Sequence, residues 1–316
     1  MTSVTGELAA LPRGVIWFWA VILGAAAIGA AWLDYLGPPS ALTSTALTSV
    51  AAIHRPSAAL SRPSRYNAAW SVPRPSPYGV LPKQYYGAPT APLMRHQAPI
   101  ALLVTGFGGL NGPGSAAINA LPAGVSIAIT PFGLGLHQLA RTARRSGHET
   151  LVSLPVGGVS ARQEPYILNI GNQSDVNGRA LDWALSRFEG YVGVTDAGAL
   201  PNSGRFLQDP ADAFWLINSL KADGLFMLDI NPAAALPDGP DAGRASVVMA
   251  ADQGVVGLKA GLARLVRIAH RGGSAIGVIE SPNTAELAAL AAWAQHLPAA
   301  TALVPVSAVM ANGASQ

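Results

Sequence analysis

The sequence predicts an α/β fold in which βαβ units build a parallel sheet or barrel over residues 99–310. Three observations carry this expectation. Eight short apolar runs follow Pro99, helical stretches separate most of them, and the proline-rich composition that precedes them stops at Ala98. Strands that alternate regularly with helices run in one direction, because each helix carries the chain back to the same end of the sheet.

In chain order the runs read "PIALLVTGF", "GVSIAITPF", "ETLVSLPV", "GYVGVTD", "GLFMLDI", "ASVVMAA", "SAIGVIESP" and "TALVPVSA". Apolar stretches without strict alternation mark strands buried on both faces. Helices are expected at residues 175–188, 210–222, 255–271 and 284–295, and no unit repeats at a fixed period. The first run ends in "TGFGG". It brings Thr105 and Gly106, and no charge, to the strand mouth where α/β folds do their chemistry.

Before this domain the chain divides into three parts. Val15 to Leu33 is a run of nineteen residues without a charge, close to the ~20 that cross a bilayer as a helix. Residues 14–36 are therefore expected to anchor the chain, with residues 1–13 cytoplasmic. Arg13 precedes the run, Asp34 follows it, and no further charge occurs until Arg55. That bias places the rest of the chain outside the cytoplasm, as a single-pass protein of the inner membrane with a periplasmic domain. A cleaved signal peptide is the competing reading. The apolar run exceeds the roughly 7–15 residues of a signal core, and no small-residue cleavage site follows promptly, which favours the anchor. Residues 37–98 read as an extended proline-rich linker rather than a packed domain, with Tyr66, Trp70, Tyr78, Tyr85 and Tyr86 set among arginines, and residues 311–316 as a tail.

The net charge of +3 conceals an asymmetry. No acid lies between Tyr35 and His148, a span holding Arg55, Arg62, Arg65, Arg74, Lys83, Arg95, Arg141, Arg144 and Arg145. Such a stretch is drawn to polyanions or anionic lipid headgroups; nucleic acid is not an expected partner outside the cytoplasm. The absence of cysteine excludes thiolate catalysis and every Cys-ligated metal site.

The familiar catalytic motifs fail. "GFGGLNG" at Gly106 to Gly112 has Asn111 where a dinucleotide fingerprint needs its third glycine, Pro113 follows, and no acid occurs before Glu149. There is no P-loop lysine and no G-x-S-x-G elbow. Of the six histidines, His54 and His96 fall in the linker, His137 and His148 flank a helix, His270 lies near a helix end, and His296 lies in a loop. No pair has ligand spacing, so each is expected to be a solvated or capping residue rather than a ligand.

An ordered set of segments resembles the divergent polysaccharide deacetylases, a branch of the NodB-like carbohydrate esterases. It comprises "PIALLVTGFG", "LPAGVSIAITPFG", "ARRSGHETLVSLPV", "YVGVTDAGA" with "RFLQD", "LKADGLFMLD", "AHRGGSAIGVIESPNTAELAAL" and "ALVPVSAV". The resemblance implies a distorted (β/α) barrel and a metal centre of carboxylates and imidazoles that polarises an N-acetyl carbonyl and activates water. Thr105 and Gly106 stand where the family has paired aspartates, Asp196 and Glu280 where it has histidines, and Ser246 and Ala250 at the acidic positions of a further strand. Only Asp229 keeps an acid.

On this reading the hydrolytic site is degenerate. The chain is expected to be a glycan-binding or scaffolding protein of carbohydrate metabolism in the envelope, with peptidoglycan-related polymers as ligands and no metal or other cofactor. Asp196, Asp229 and Glu280 are the candidate catalytic residues, and Thr105, Gly106, Ser281 and Ser307 are candidate substrate-binding positions on the rim. The first alternative is an active N-deacetylase or hydrolase in which the three carboxylates hold Mg²⁺ or Mn²⁺ or act as acid and base on a glycosidic bond. The second is a non-catalytic protein partner of cell-wall remodelling enzymes. Whether the chain is an enzyme stays open at this point.

Overall fold

The computed structural model describes residues 53–109, 112–157, 165–198, 204–231, 234, 239–298 and 300–312. The expected anchor at 14–36 lies outside them. Among the described residues no helix is long and apolar enough to cross a membrane.

The domain is built around β3 (Ala98–Phe107), a ten-residue strand whose interior is buried. On one side it pairs in parallel with β10 (Ala275–Ile279). On the other, its C-terminal half pairs with β4 (Val125–Ile129) and its first residues with β11 (Thr301–Val304). The sheet continues from β4 through β5 (Thr150–Ser153), β6 (Gly193–Thr195) and β7 (Phe226–Asp229) to β8 (Ala242–Arg244), and beyond β10 it ends at β9 (Val247–Met249).

Strands β8 and β9 stand at opposite ends of that order yet are separated only by Ala245 and Ser246. One short segment therefore pairs first with β7 and then with β10. Ala245 N donates to Asp229 O (2.8 Å) and Ser246 N to Ile276 O (2.7 Å). This curls the parallel sheet into a half-barrel, consistent with the distorted barrel expected from the sequence. The expected strand "ASVVMAA" is β9; β8 was not foreseen, because its "AGR" is too short and too polar to register as an apolar run.

Helices cover the outside. They are α2 (Ser115–Ala120), α3 (Leu136–Arg145), α4 (Ser174–Leu185), α5 (Gly204–Gln208), α6 (Pro210–Ala222), α7 (Gly254–Gly272), α8 (Thr284–Gln295) and α9 (Val306–Asn312). The bounds expected for α6 and α8 coincide with those observed, because both helices begin on strong caps. Asp209 Oδ1 accepts from Ala211 N and Asp212 N ahead of Pro210. Asn283 and Glu286 form a reciprocal capping box.

The structure corrects the linker. From Ile53 the segment packs onto the barrel, with Ile53, Leu60, Val72 and Tyr86 buried. It forms a hairpin of β1 (Ser61–Pro63) and β2 (Ser71–Pro73), then a single turn, α1 (Pro82–Tyr85). Its prolines prevent a long strand or helix but not docking, since side chains and isolated amides make the joints. Ser64 Oγ donates to Asp182 (2.5 Å), Arg62 pairs with Asp223 (3.0 Å), and Lys83 pairs with Asp241 (2.5 Å). Lys83 N donates to Gly224 O (3.1 Å) and Ala88 N to Glu149 Oε2 (3.3 Å). Glu149 and Asp241 immediately precede β5 and β8, and Asp223 lies three residues before Phe226, the start of β7, so the strap crosses the N-terminal ends of the strands.

Candidate functional site at the strand ends

The opposite, C-terminal ends of β3, β6, β7 and β10 carry most of the candidates. Val104 pairs with Ile127 and Phe107 with Ile129, so β3 holds one extra residue in this interval, a bulge at Thr105 and Gly106. Gly106 has φ +90°, which side chains rarely adopt, and a Cβ there would lie 2.6 Å from Ser281 Oγ. Thr105 is fully buried, and its Oγ1 accepts a hydrogen bond from Ser281 N (3.2 Å). A Cβ on Gly198, which follows β6 with φ +68°, would meet that same Oγ1 at 3.0 Å. The strand tip is thus a packed joint: Thr105 is wedged between Ser281 and Gly198, and Gly106 lets the Ser281 turn close onto β3. Ser281 itself has φ +43°, the one non-glycine residue with positive φ among those described.

Asp196 and Asp229 come together. Asp196 is 1% exposed and Asp229 0%. Asp196 Oδ1 accepts from Ile230 N (3.0 Å), and Asp229 is held beside the backbone amides of Asn231 and Ile230. Arg244 Nε stands 3.7 Å from Asp229 Oδ2. Burial, reinforced by the Asp229 charge, holds the Asp196 carboxyl well above the ordinary carboxylate range. Burial raises Asp229 too, against the backbone amide of Asn231, the Asp196 side chain, the Arg244 charge and the Ile230 amide. Two desolvated carboxylates cannot both ionise cheaply, so burial disfavours the doubly ionised pair.

Glu280 does not join this pair. It follows β10, is half-buried, and its N donates to Met249 O (2.9 Å). The segment of β8 and β9 lies between: Asp229 pairs with Arg244 and Ile279 with Met249, a separation along the chain on the order of 16 Å when extended. Ser307 is corrected outright. It lies at the other end of the barrel, where its N and Oγ donate to Glu149 (2.9 and 2.6 Å), because β11 pairs only with the start of β3 and so ends low in the barrel. Ser246 and Ala250 flank β9 and bring no acid.

The histidines offer no imidazole to the rim. His148 corrects the expectation of a solvated residue: it is buried, with Nδ1 2.9 Å from Val125 O and Nε2 3.1 Å from Ile118 O, and burial lowers its pKa. His270 contacts Thr301 Oγ1 and His296 the Ala292 carbonyl. Among the described residues, no group of three or more His, Asp or Glu side chains could hold a metal ion. A hydroxyl and a glycine stand in place of paired acids, so the donor set does not fit the carboxylate and imidazole centre that the resemblance implies.

Three residues of this rim were missed from sequence: Arg244, Ser153 and Gly198. Ser153 Oγ is buried without a partner and lies 3.6 Å from where a Gly198 Cβ would sit. Arg244 precedes an apolar run, and a lone cation at a strand end was the available signal.

A comparison with curated proteins gives no match. Among solved structures, an uncharacterized protein from Agrobacterium tumefaciens C58 aligns with a TM-score of 0.67 and 25% identity, over 76% of this chain and 99% of its own. The family described as divergent polysaccharide deacetylase matches residues 102–310, which begin inside β3 and end inside α9. The family implies a polysaccharide as substrate or ligand. With the barrel, the ordered strand ends and that match in place, the chain belongs to the divergent polysaccharide deacetylase family.

Proposed function

We propose that this deacetylase-like protein binds an envelope glycan without hydrolysing it, held at the inner membrane by residues 14–36 with its barrel in the periplasm. The observation that carries the reading is the Thr105–Ser281 joint. The positions where the family places its paired acids are occupied by a buried hydroxyl that holds a neighbouring loop and by a glycine on which that loop closes. Restoring an acid at Gly106 would require both a positive φ and the space taken by Ser281. Such a tip favours rigidity of the rim over ligation.

A second reading keeps activity. It rests on the two deeply buried, neighbouring carboxyls of Asp196 and Asp229, both pushed up by burial, since buried acid pairs with shifted pKa values are a feature of working sites. One experiment separates the two. Full-length protein is incubated with N-acetylated chitooligosaccharides and with peptidoglycan fragments, with and without Zn²⁺, Co²⁺ or Mn²⁺, and both acetate release and glycan binding are measured. Binding without acetate is expected. Acetate release that disappears in Asp196→Ala would establish a rebuilt centre, and neither binding nor release would reject both readings.

A further inference from the structure

The unequal charge of the N-terminal half comes to a point in three dimensions. His137, Arg141, Arg144 and Arg145 follow one another at helical spacing on α3, so they share a face. With Arg55 from the strap and Glu189 from the turn before β6 they line a cavity of about 470 Å³. Four guanidinium groups thus face one carboxylate, and none of the four lies in an ion pair among the described residues. Arg144 is only 9% exposed and is fixed in place, its NH1 donating to the Glu189 carbonyl (2.7 Å). A Cβ at Gly190 would come within 2.7 Å of that same nitrogen. The site is therefore assembled by three separate pieces of chain around a buried cation, at the end of the barrel opposite the rim.

We propose that this cavity is a binding site for phosphate esters. Arginine forks match the paired oxygens of a phosphate, and a surplus of positive charge in a partly desolvated cleft attracts a net anionic phosphate more than a zwitterionic one. The ester can come from a free phosphorylated molecule or from an anionic phospholipid. The second source rests on the membrane anchoring proposed above for residues 14–36.

The test uses the full-length chain in a neutral detergent, titrated calorimetrically with inorganic pyrophosphate, with short-chain phosphatidylglycerol and with short-chain phosphatidylcholine. Saturable binding of pyrophosphate, phosphatidylglycerol or both is expected, with none for phosphatidylcholine. Pyrophosphate alone identifies a free anion, and phosphatidylglycerol alone a headgroup. Arg141→Ala with Arg145→Ala, and separately Arg55→Glu, should weaken binding at least about tenfold. Arg264→Ala with Arg267→Ala, on exposed α7 positions, should leave it unchanged. Absence of binding to both anionic probes, equal binding of phosphatidylcholine, or an equal loss in the α7 variant would overturn the proposal.

Discussion

The two ends of the barrel treat a buried acid in opposite ways. At the N-terminal end Glu149 is 1% exposed, yet it accepts from Ser126 Oγ (2.9 Å), Ser307 N (2.9 Å), Ser307 Oγ (2.6 Å) and Ala88 N (3.3 Å). Burial raises its pKa, and these donors pull the other way. One carboxylate thereby joins β4, the start of α9 and the strap. At the C-terminal end Asp196 and Asp229 are as deeply buried, and they lie beside each other with only Ile230 N (3.0 Å from Asp196 Oδ1) and Arg244 Nε (3.7 Å from Asp229 Oδ2) at measured distances. The contrast separates an acid kept for architecture from a pair that architecture alone does not account for: the first is saturated with donors, and the second sets two buried acids against each other.

The largest effect should come from breaking the saturated end. Glu149→Ala leaves donors from three elements without an acceptor and is expected to cost about 3–5 kcal/mol. Denaturant unfolding measures the loss, and protease sensitivity between Pro82 and Ala98 should rise as the strap loses its Ala88 tie. A variant as stable as the parent would show that the strap does not depend on this joint.

Gly106→Ala tests whether the rim tip is packed as tightly as its geometry implies. The substitution meets both an unfavourable φ and Ser281 Oγ, and a loss of about 1–3 kcal/mol is expected. An unchanged melting temperature would mean that the Ser281 turn yields freely, leaving room for a ligand at the tip.

The acid pair should respond in the reverse direction. Because the folded-state pKa of Asp196 is raised, its contribution to stability is complete below the ordinary carboxylate range and is lost as pH rises through the folded value. Asp196→Asn supplies a permanent donor to Asp229 while keeping an acceptor for Ile230 N. It should therefore stabilise the fold at pH 8 by about 1–2 kcal/mol and change little near pH 3, read from melting temperatures across that range. Destabilisation at pH 8 would show that the pair ionises together with a stabilising partner.

The smallest effect is expected from the exposed ion pair of Arg65 and Asp175, whose side chains are 67% and 77% exposed. Asp175→Ala should shift stability by no more than about 0.5 kcal/mol. A larger loss would mean that the hairpin of the strap is held by its surface charges rather than by buried Val72 and the Ser64–Asp182 bond.

Much of this molecule was legible in the chain itself. Apolar runs fix strands because a strand buried on both faces has no polar positions to alternate, and "DPADA" and "PNTAE" fix the starts of α6 and α8 because their caps act within a few residues. The neutrality of Thr105 and Gly106 was likewise readable as a departure from the family's acids. Tertiary structure alone decided the rest. Strand register brings Asp196 to Asp229, leaves Glu280 across the β8–β9 segment, and sends Ser307 to the far end beside Glu149. It also turned a proline-rich stretch into a docked strap, through partners as distant as Asp182, Asp223 and Asp241. The physical reason is range: caps and hydrophobic periodicity act over a few residues, whereas a close pair of buried acids or a buried acid's donors depend on which strands become neighbours, a choice made by the packing of the whole barrel.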